Sequence, residues 1–123
     1  MNRLLISEEV REALAAGRAV VALETAVVTH GLPHPQNFEA ACSCEDAVRE
    51  AGAVPATIGV VGGEVRVGLS RSELERLAAS GGEAVKCAAR DLGAAAVRSR
   101  DGGTTVSATL AVAAAAGIAF LST

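Results

Sequence analysis

Aromatic side chains are nearly missing: Trp and Tyr are absent, and Phe38 and Phe120 are the only two aromatics among 123 residues. This removes the stacking platforms on which single-stranded nucleic acid is held. It also leaves a core of Ala, Val and Leu, in which each buried residue contributes less area than an aromatic would. A basic cluster is missing as well, and the formal net charge of −3 argues against a nucleic-acid footprint. No apolar stretch reaches membrane-spanning length, and the apolar run in "MNRLLISEEV" is too short for a signal peptide. A soluble, cytoplasmic protein with no membrane partner is the expectation. Cys42, Cys44 and Cys87 form an odd set without C-x-x-C spacing, so they are expected to be reduced core or near-surface residues. Cys42 and Cys44, two apart on a helix, face different ways.

What is present alternates between strand and helix. "SEEVREALAAG" has Ser7 as N-cap, acids in the first turn and Gly17 past the end. "RAVVALET" is a continuous apolar run of the kind buried in a parallel sheet. Asn37 is placed as the cap of a second helix running to about Glu50 and closed by Gly52. "VPATIGVV" and "EVRVGL" flank Gly62-Gly63, a hairpin signal. Ser70 and Glu73 form a capping box, "AVKCA" is a short strand, and Asp91 is placed as the cap of a short helix. "DGGTTVSATLAVAAAAG" reads as a Gly-rich turn opening a helix with no polar stripe, hence one buried on most sides, and "IAFLS" reads as a further strand.

The fold class is therefore α/β: a mixed, mainly parallel sheet with flanking helices and one β-hairpin. Residues 1–123 are expected to lie within a single domain, with no repeat, linker or low-complexity break. The final apolar strand is not followed by a helix that would cover it. The expectation is an incomplete α/β/α sandwich, the N-terminal part of a larger domain.

Open α/β sheets bind ligands beyond the carboxyl ends of their strands. Three polar stretches fall there: Glu24 to Asn37, Lys86 to Asp91, and Asp101 to Thr105. They are expected to converge on one crevice, although polar loops follow strands in every α/β protein. Glu24 comes directly after four apolar residues, where partial desolvation raises a carboxyl pKa and suits it to proton transfer. The alternative is a Glu that caps or pairs locally. Lys86 is the only lysine among eleven basic residues and lies within an apolar strand. It can neutralise a phosphate as a point charge or attack a carbonyl; otherwise it is a strand-end lysine reaching solvent. "GGTTV" before a helix offers N–H groups, hydroxyls and the positive end of the helix dipole to a phosphate. It matches neither nucleotide-binding glycine motif. His30 and His34 are four apart, but Gly31 and Pro33 exclude the helix that would align them on a metal.

The segments "VALETAVVTHGLPHPQN", "GAVPATIGVVGGEVRVGLS", "KCAARDL" and "GGTTVSATLAVAAAAGI" together resemble the pseudouridine-5′-phosphate glycosidase family, related to indigoidine synthase A. They stand in the family's order and cover nearly all of the chain from Ala19 onward. The resemblance implies reversible cleavage of the C–C bond of pseudouridine 5′-phosphate with water, giving uracil and ribose 5-phosphate. It implies a glutamate that moves a proton at the uracil carbon, falling on Glu24, and substrate contacts at Lys86, Thr105 and Val106. It further implies a divalent metal, typically manganese, a lysine that forms an imine with the opened sugar, and a homotrimer. The imine lysine and the metal-binding aspartate belong to a later family segment with no counterpart in these 123 residues. The fragment alone is therefore expected to be inactive, and Lys86 is not promoted to nucleophile. Where the family often has "ESTIISHG", this chain has "ETAVVTHG", which puts Thr25 in a serine position and keeps a hydroxyl. "CAARDL" replaces "VSRRDL" and removes an arginine at Ala89. The rival expectation is a non-catalytic fragment that binds a phosphosugar or serves assembly.

Overall fold

The computed structural model describes residues 4–123. In chain order the elements are β1 (Leu4–Ile6), α1 (Glu8–Ala15), β2 (Val20–Leu23), α2 (Ala26–His30), α3 (Gln36–Glu50), β3 (Val54–Val61) and β4 (Glu64–Val67). There follow α4 (Arg71–Ala78), β5 (Val85–Cys87), a 3-10 turn (Ala89–Asp91), α5 (Leu92–Val97), β6 (Gly102–Thr104), α6 (Val106–Ala116) and β7 (Phe120–Ser122).

The strands form one sheet in the order β1-β4-β3-β2-β7, with β6 also on β3 and β5 on β6. Pairing is parallel at β1/β4, β2/β3, β2/β7 and β5/β6, and antiparallel at β3/β4 and β3/β6. This is the mixed, mainly parallel α/β sheet expected. The β3–β4 hairpin turns on Gly62 and Gly63 at φ 58° and 83°, both in the left-handed region that a two-residue primed turn requires.

β3 organises the domain. All eight of its residues are buried, which is why its sequence is a continuous rather than alternating apolar run. Val54, Ala56, Ile58 and Val60 belong to a cluster with Val10 and Ala13 of α1, Leu92 and Ala95 of α5, and Ala108, Val112 and Ala113 of α6. Val61 belongs to a second cluster with Val28 of α2, Leu74, Leu77 and Ala78 of α4, and Leu69, against which Phe38 of α3 packs. Pro55 is tolerated in this central strand because β4 first pairs at Ile58, so no ladder bond is lost to the missing N–H.

Ser7 caps α1, its Oγ accepting from Val10 N at 3.3 Å, and the Ser70–Glu73 capping box opens α4. Other expectations are corrected. Asn37 does not cap α3; it lies within the first turn, buried, and its amide donates to Val28 O and Ala78 O, both at 2.8 Å. It thereby ties α2 and α4 to α3, since two buried carbonyls need donors more than an exposed helix start does. Asp91 does not cap α5 with its side chain, which turns back to accept from Ala88 N at 3.0 Å; its helical backbone (φ −93°, ψ −9°) lacks the extended cap geometry. Gly102–Thr104 is strand rather than turn. A Cβ on Gly103 would collide with Thr29 Oγ1, so that glycine serves the close approach of α2 to β6. α6 buries only one face, through Ala108, Thr109, Val112 and Ala113, and leaves Val106 and Leu110 exposed. β1 and α2 were not anticipated; each is too short to impose a periodicity on the sequence.

Candidate active site at the strand ends

β3 changes partners along one side. β2 pairs with it from Val54 to Thr57, and β6 takes over at Gly59 and Val60 on that same side, because β4 occupies the other. β2 and β6 therefore meet end to end beside Ile58, whose carbonyl falls in the gap between two ladders. Two hydroxyls fill the gap: Thr25 Oγ1 donates to Ile58 O at 2.7 Å, and Thr104 Oγ1 lies 2.8 Å from the same oxygen. Thr104 N donates back to Thr25 Oγ1 at 2.9 Å, and Thr25 N to Thr104 O at 3.2 Å. Thr104 Oγ1 is 2.9 Å from Thr109 Oγ1, which donates to Thr105 O at 2.7 Å. All three hydroxyl residues are fully buried.

This seam is flanked by the residues singled out from the sequence. Glu24 precedes Thr25 in the turn from β2 to α2, and Thr105 follows Thr104 as the N-cap of α6. Thr105 N donates to Cys87 O at 2.9 Å, which fastens the start of α6 to the strand carrying Lys86. The three polar stretches lie at the ends of β2, β5 and β6, but the single crevice expected of them is not formed among the described residues.

They do not form one closed pocket among the described residues. Glu24 is half-buried and lines an apolar cavity of about 360 Å³ with Val27, Leu32, Ala41, Cys44 and Ser122. Lys86 is exposed and lines a separate cavity of about 170 Å³ with Asp91, Arg98 and Arg100. Thr105 Oγ1 accepts from Ala108 N at 3.4 Å and touches Ser107 Oγ at 3.1 Å. Val106 is exposed, and its N–H and that of Ser107 find no acceptor among the described residues. Those two N–H groups, rather than the glycines, are what the α6 N-terminus offers an anion.

The two histidines, Glu45 and Asp101 have structural partners. His30 Nδ1 meets Thr29 Oγ1 at 2.6 Å and His34 Nε2 meets Glu75 Oε1 at 2.8 Å, so the two imidazoles serve different neighbours. Glu45 is buried on α3, accepting from Thr57 Oγ1 at 2.5 Å and Arg71 Nε at 3.0 Å. Burial pushes the Cys87 thiol up, and the nearby Asp91 charge pushes it further, which keeps it an inert core residue. Asp101 accepts from Gly62 N at 2.8 Å and pairs with Arg76 at 2.7 Å. Burial opposes its ionisation, but these donors prevail and hold its carboxyl below the ordinary range.

Thr104 and Thr109 were not singled out individually from the sequence. The signal for Thr109 was a hydroxyl four positions after the cap Thr105 in an otherwise Ala- and Val-rich helix. It reads there as an unremarked polar residue until the partner change in β3 is known.

The fold is a three-layer α/β arrangement, one mixed sheet with helices packed on both faces. The chain belongs to the indigoidine synthase A-like family: the profile described as "Indigoidine synthase A like protein" matches residues 9–123. A pseudouridine-5′-phosphate glycosidase of Chloroflexus aurantiacus is 55% identical over 120 residues, which are 98% of this chain and 39% of the relative. One from Sorangium cellulosum is 51% identical over 122 residues, 99% of this chain and 38% of the relative. The chain thus spans about two fifths of the length of the curated relatives it matches. Among solved structures, the prealnumycin C-glycosynthase AlnA in complex with ribulose 5-phosphate superposes with TM-score 0.86 at 44% identity, over 100% of this chain and 39% of that one. An indigoidine synthase A-like protein of Thermotoga maritima gives TM-score 0.84 at 31% identity, over 98% of this chain and 38% of that one.

Proposed function

We propose that this chain supplies the proton-transfer and phosphate-binding part of a pseudouridine-5′-phosphate glycosidase. The reaction is reversible cleavage of the C–C glycosidic bond with water, giving uracil and ribose 5-phosphate. The observation that carries the reading is the gathering of Glu24, Lys86 and Thr105 at three neighbouring strand ends in a chain 55% identical to a relative of that name. The ribulose 5-phosphate bound by AlnA supports a five-carbon phosphosugar as the ligand class.

When the C–C bond breaks, its electron pair is left on the uracil carbon, which needs a proton; carbon accepts one slowly unless a positioned acid supplies it. Glu24 is that acid, and in the synthetic direction it removes the same proton. The apolar walls of its cavity suit the flat face of a base. Lys86 supplies a counter-charge to the phosphate, with the Thr105 hydroxyl and the N–H groups of Val106 and Ser107 as further donors.

The covalent step on the sugar is assigned to no residue here, because the imine lysine belongs to a family segment outside these residues. The described residues contain no group of three or more His, Cys, Asp or Glu able to hold a metal ion. The divalent metal, typically manganese, that the family resemblance implies would be held by the aspartate of that same later segment. We place the assembled enzyme in the cytoplasm as a homotrimer. No helix among the described residues is long and apolar enough to cross a membrane.

The test joins this chain to the remaining part of the Chloroflexus aurantiacus relative and measures uracil release from pseudouridine 5′-phosphate. Glu24→Gln should lower turnover by roughly 10²–10⁴-fold, with the Michaelis constant moving far less. Lys86→Ala should chiefly weaken substrate binding. Near-normal turnover in Glu24→Gln would remove Glu24 from proton transfer. The 123-residue chain by itself should release no uracil above background. Steady release by it, abolished by Lys86→Ala, would instead make Lys86 the covalent residue.

A further inference from the structure

We propose that Thr25, Thr104 and Thr109 are positioning residues, whose hydroxyl chain sets Glu24 at the end of β2 against Thr105 and Val106 at the start of α6. The inference rests on the functional reading above, which makes those flanking residues the working groups.

A strand that keeps one partner holds its register through a continuous ladder. β3 cannot do so at Ile58, where β2 has ended and β6 has only begun. Neither ladder spans Ile58, yet Glu24 hangs from the end of β2 and α6 grows from the end of β6. One backbone bond, Thr25 N to Thr104 O at 3.2 Å, joins the two ends, and side-chain hydroxyls supply the rest of the connection. Thr25 Oγ1 uses its proton on Ile58 O and a lone pair on Thr104 N. Thr109 Oγ1 uses its proton on Thr105 O and accepts at 2.9 Å from Thr104 Oγ1, or leaves that proton to Ile58 O. Each of the three hydroxyl protons has an acceptor, and Thr25, Thr104, Thr109 and Ile58 are fully buried.

Apolar side chains would fill this space, and a core of small aliphatics is what the rest of the molecule uses. Burying three hydroxyls costs desolvation that only directional bonds repay, and directional bonds fix distance in a way that apolar contact does not. Thr109 reaches back to the carbonyl of the cap residue Thr105, so the hydroxyl chain grips the residue that opens α6. Thr105 N on Cys87 O extends the same grip to the strand of Lys86. A displacement of about 1 Å at such a junction is enough to cost on the order of 100-fold in rate.

The test uses two readouts on the same variants. In the joined enzyme, well below its unfolding temperature, Thr104→Val should lower kcat roughly 10- to 100-fold, with KM within about 2-fold. Thr104→Ser, which keeps the hydroxyl, should restore most of it. Thr109→Val leaves the Thr25–Thr104 bonds intact and should give a smaller loss in kcat; it decides the matter if Thr104→Val does not fold. In the 123-residue chain itself, amide hydrogen exchange at Thr25, Thr104 and Thr105 should speed up in both valine variants and return toward normal in Thr104→Ser. Valine variants that lose thermal stability but keep kcat would overturn the inference. An inactive wild-type joined enzyme would instead count against the proposed function. The exchange readout then decides positioning alone: local acceleration at these three amides supports it, and unchanged or uniformly raised exchange overturns it.

Discussion

β3 and β7 are both apolar strands of one sheet, and both pair in parallel with β2. β3 is buried at all eight positions, with helices on each face and neighbours along both edges. β7 has β2 on one side, and Phe120 at its start is 60% exposed. Composition says that both strands favour burial. What differs is the set of neighbours, and those come from other parts of the chain. An apolar strand therefore contributes to stability in proportion to what covers it.

Truncating one side chain in each strand gives the sharpest contrast. Ile58 is fully buried between the α1, α5 and α6 side of the core and the seam. Ile58→Ala should cost about 2–5 kcal/mol, through lost transfer energy and the cavity left behind. Phe120→Ala removes a larger side chain, yet should fall within about 0.5 kcal/mol because most of its surface is already in water. Urea unfolding of the two variants measures both. Similar losses would mean that β7 is covered in solution and that the contrast between the strands is false.

The same contrast explains what the sequence disclosed. Ser7, the Ser70–Glu73 box, Gly62-Gly63 and the apolar runs of β2 and β3 are local signals, set by chemistry within a few residues, and each stands where expected. Glu24, Lys86 and Thr105 were singled out because polar residues interrupt apolar runs at strand ends. Asn37 was misread because its partners, Val28 O and Ala78 O, lie nine and 41 residues away. Thr104 and Thr25 are 79 residues apart, and nothing local announces that they share the Ile58 carbonyl. α6 was expected to be buried on most sides because hydropathy cannot say how many faces have a neighbour. The elements could be read locally, whereas the junctions between them depend on tertiary partners.

A second prediction concerns how the top of β3 is closed. The hairpin turn is held by Asp101, which accepts from Gly62 N and from Arg76, linking β3, β6 and α4. Its carboxyl is held below its ordinary range in the folded state. The ionised form is therefore favoured by folding, and its stabilisation is complete above the ordinary aspartate value near pH 4. It fades as the pH falls through the lowered folded-state value. Asp101→Asn should cost about 1–2 kcal/mol at neutral pH and should show less acid-induced loss than wild type between about pH 4 and 2. Parallel acid profiles for the two proteins would show that Asp101 carries none of the pH dependence.

The smallest effect on stability, and the most direct probe of β7, lies on the outer surface. Leu110 of α6 is 53% exposed and Phe120 is 60% exposed, and among the described residues β7 pairs with β2 on one edge and with no strand on the other. Exposed apolar side chains beside an open strand edge favour association between chains, and charge placed there opposes it. The 123-residue chain should therefore sediment as a concentration-dependent mixture. Leu110→Glu with Phe120→Lys should shift it toward monomer while moving the unfolding free energy by no more than about 0.5 kcal/mol per site. Neither residue belongs to the seam at Ile58, so the exchange rates at Thr25 and Thr104 should stay as they are. A wild-type chain that is monomeric at every concentration, with a sharp unfolding transition, would show that β7 is satisfied as it stands. The difference between the two strands would then be one of exposure without consequence for association.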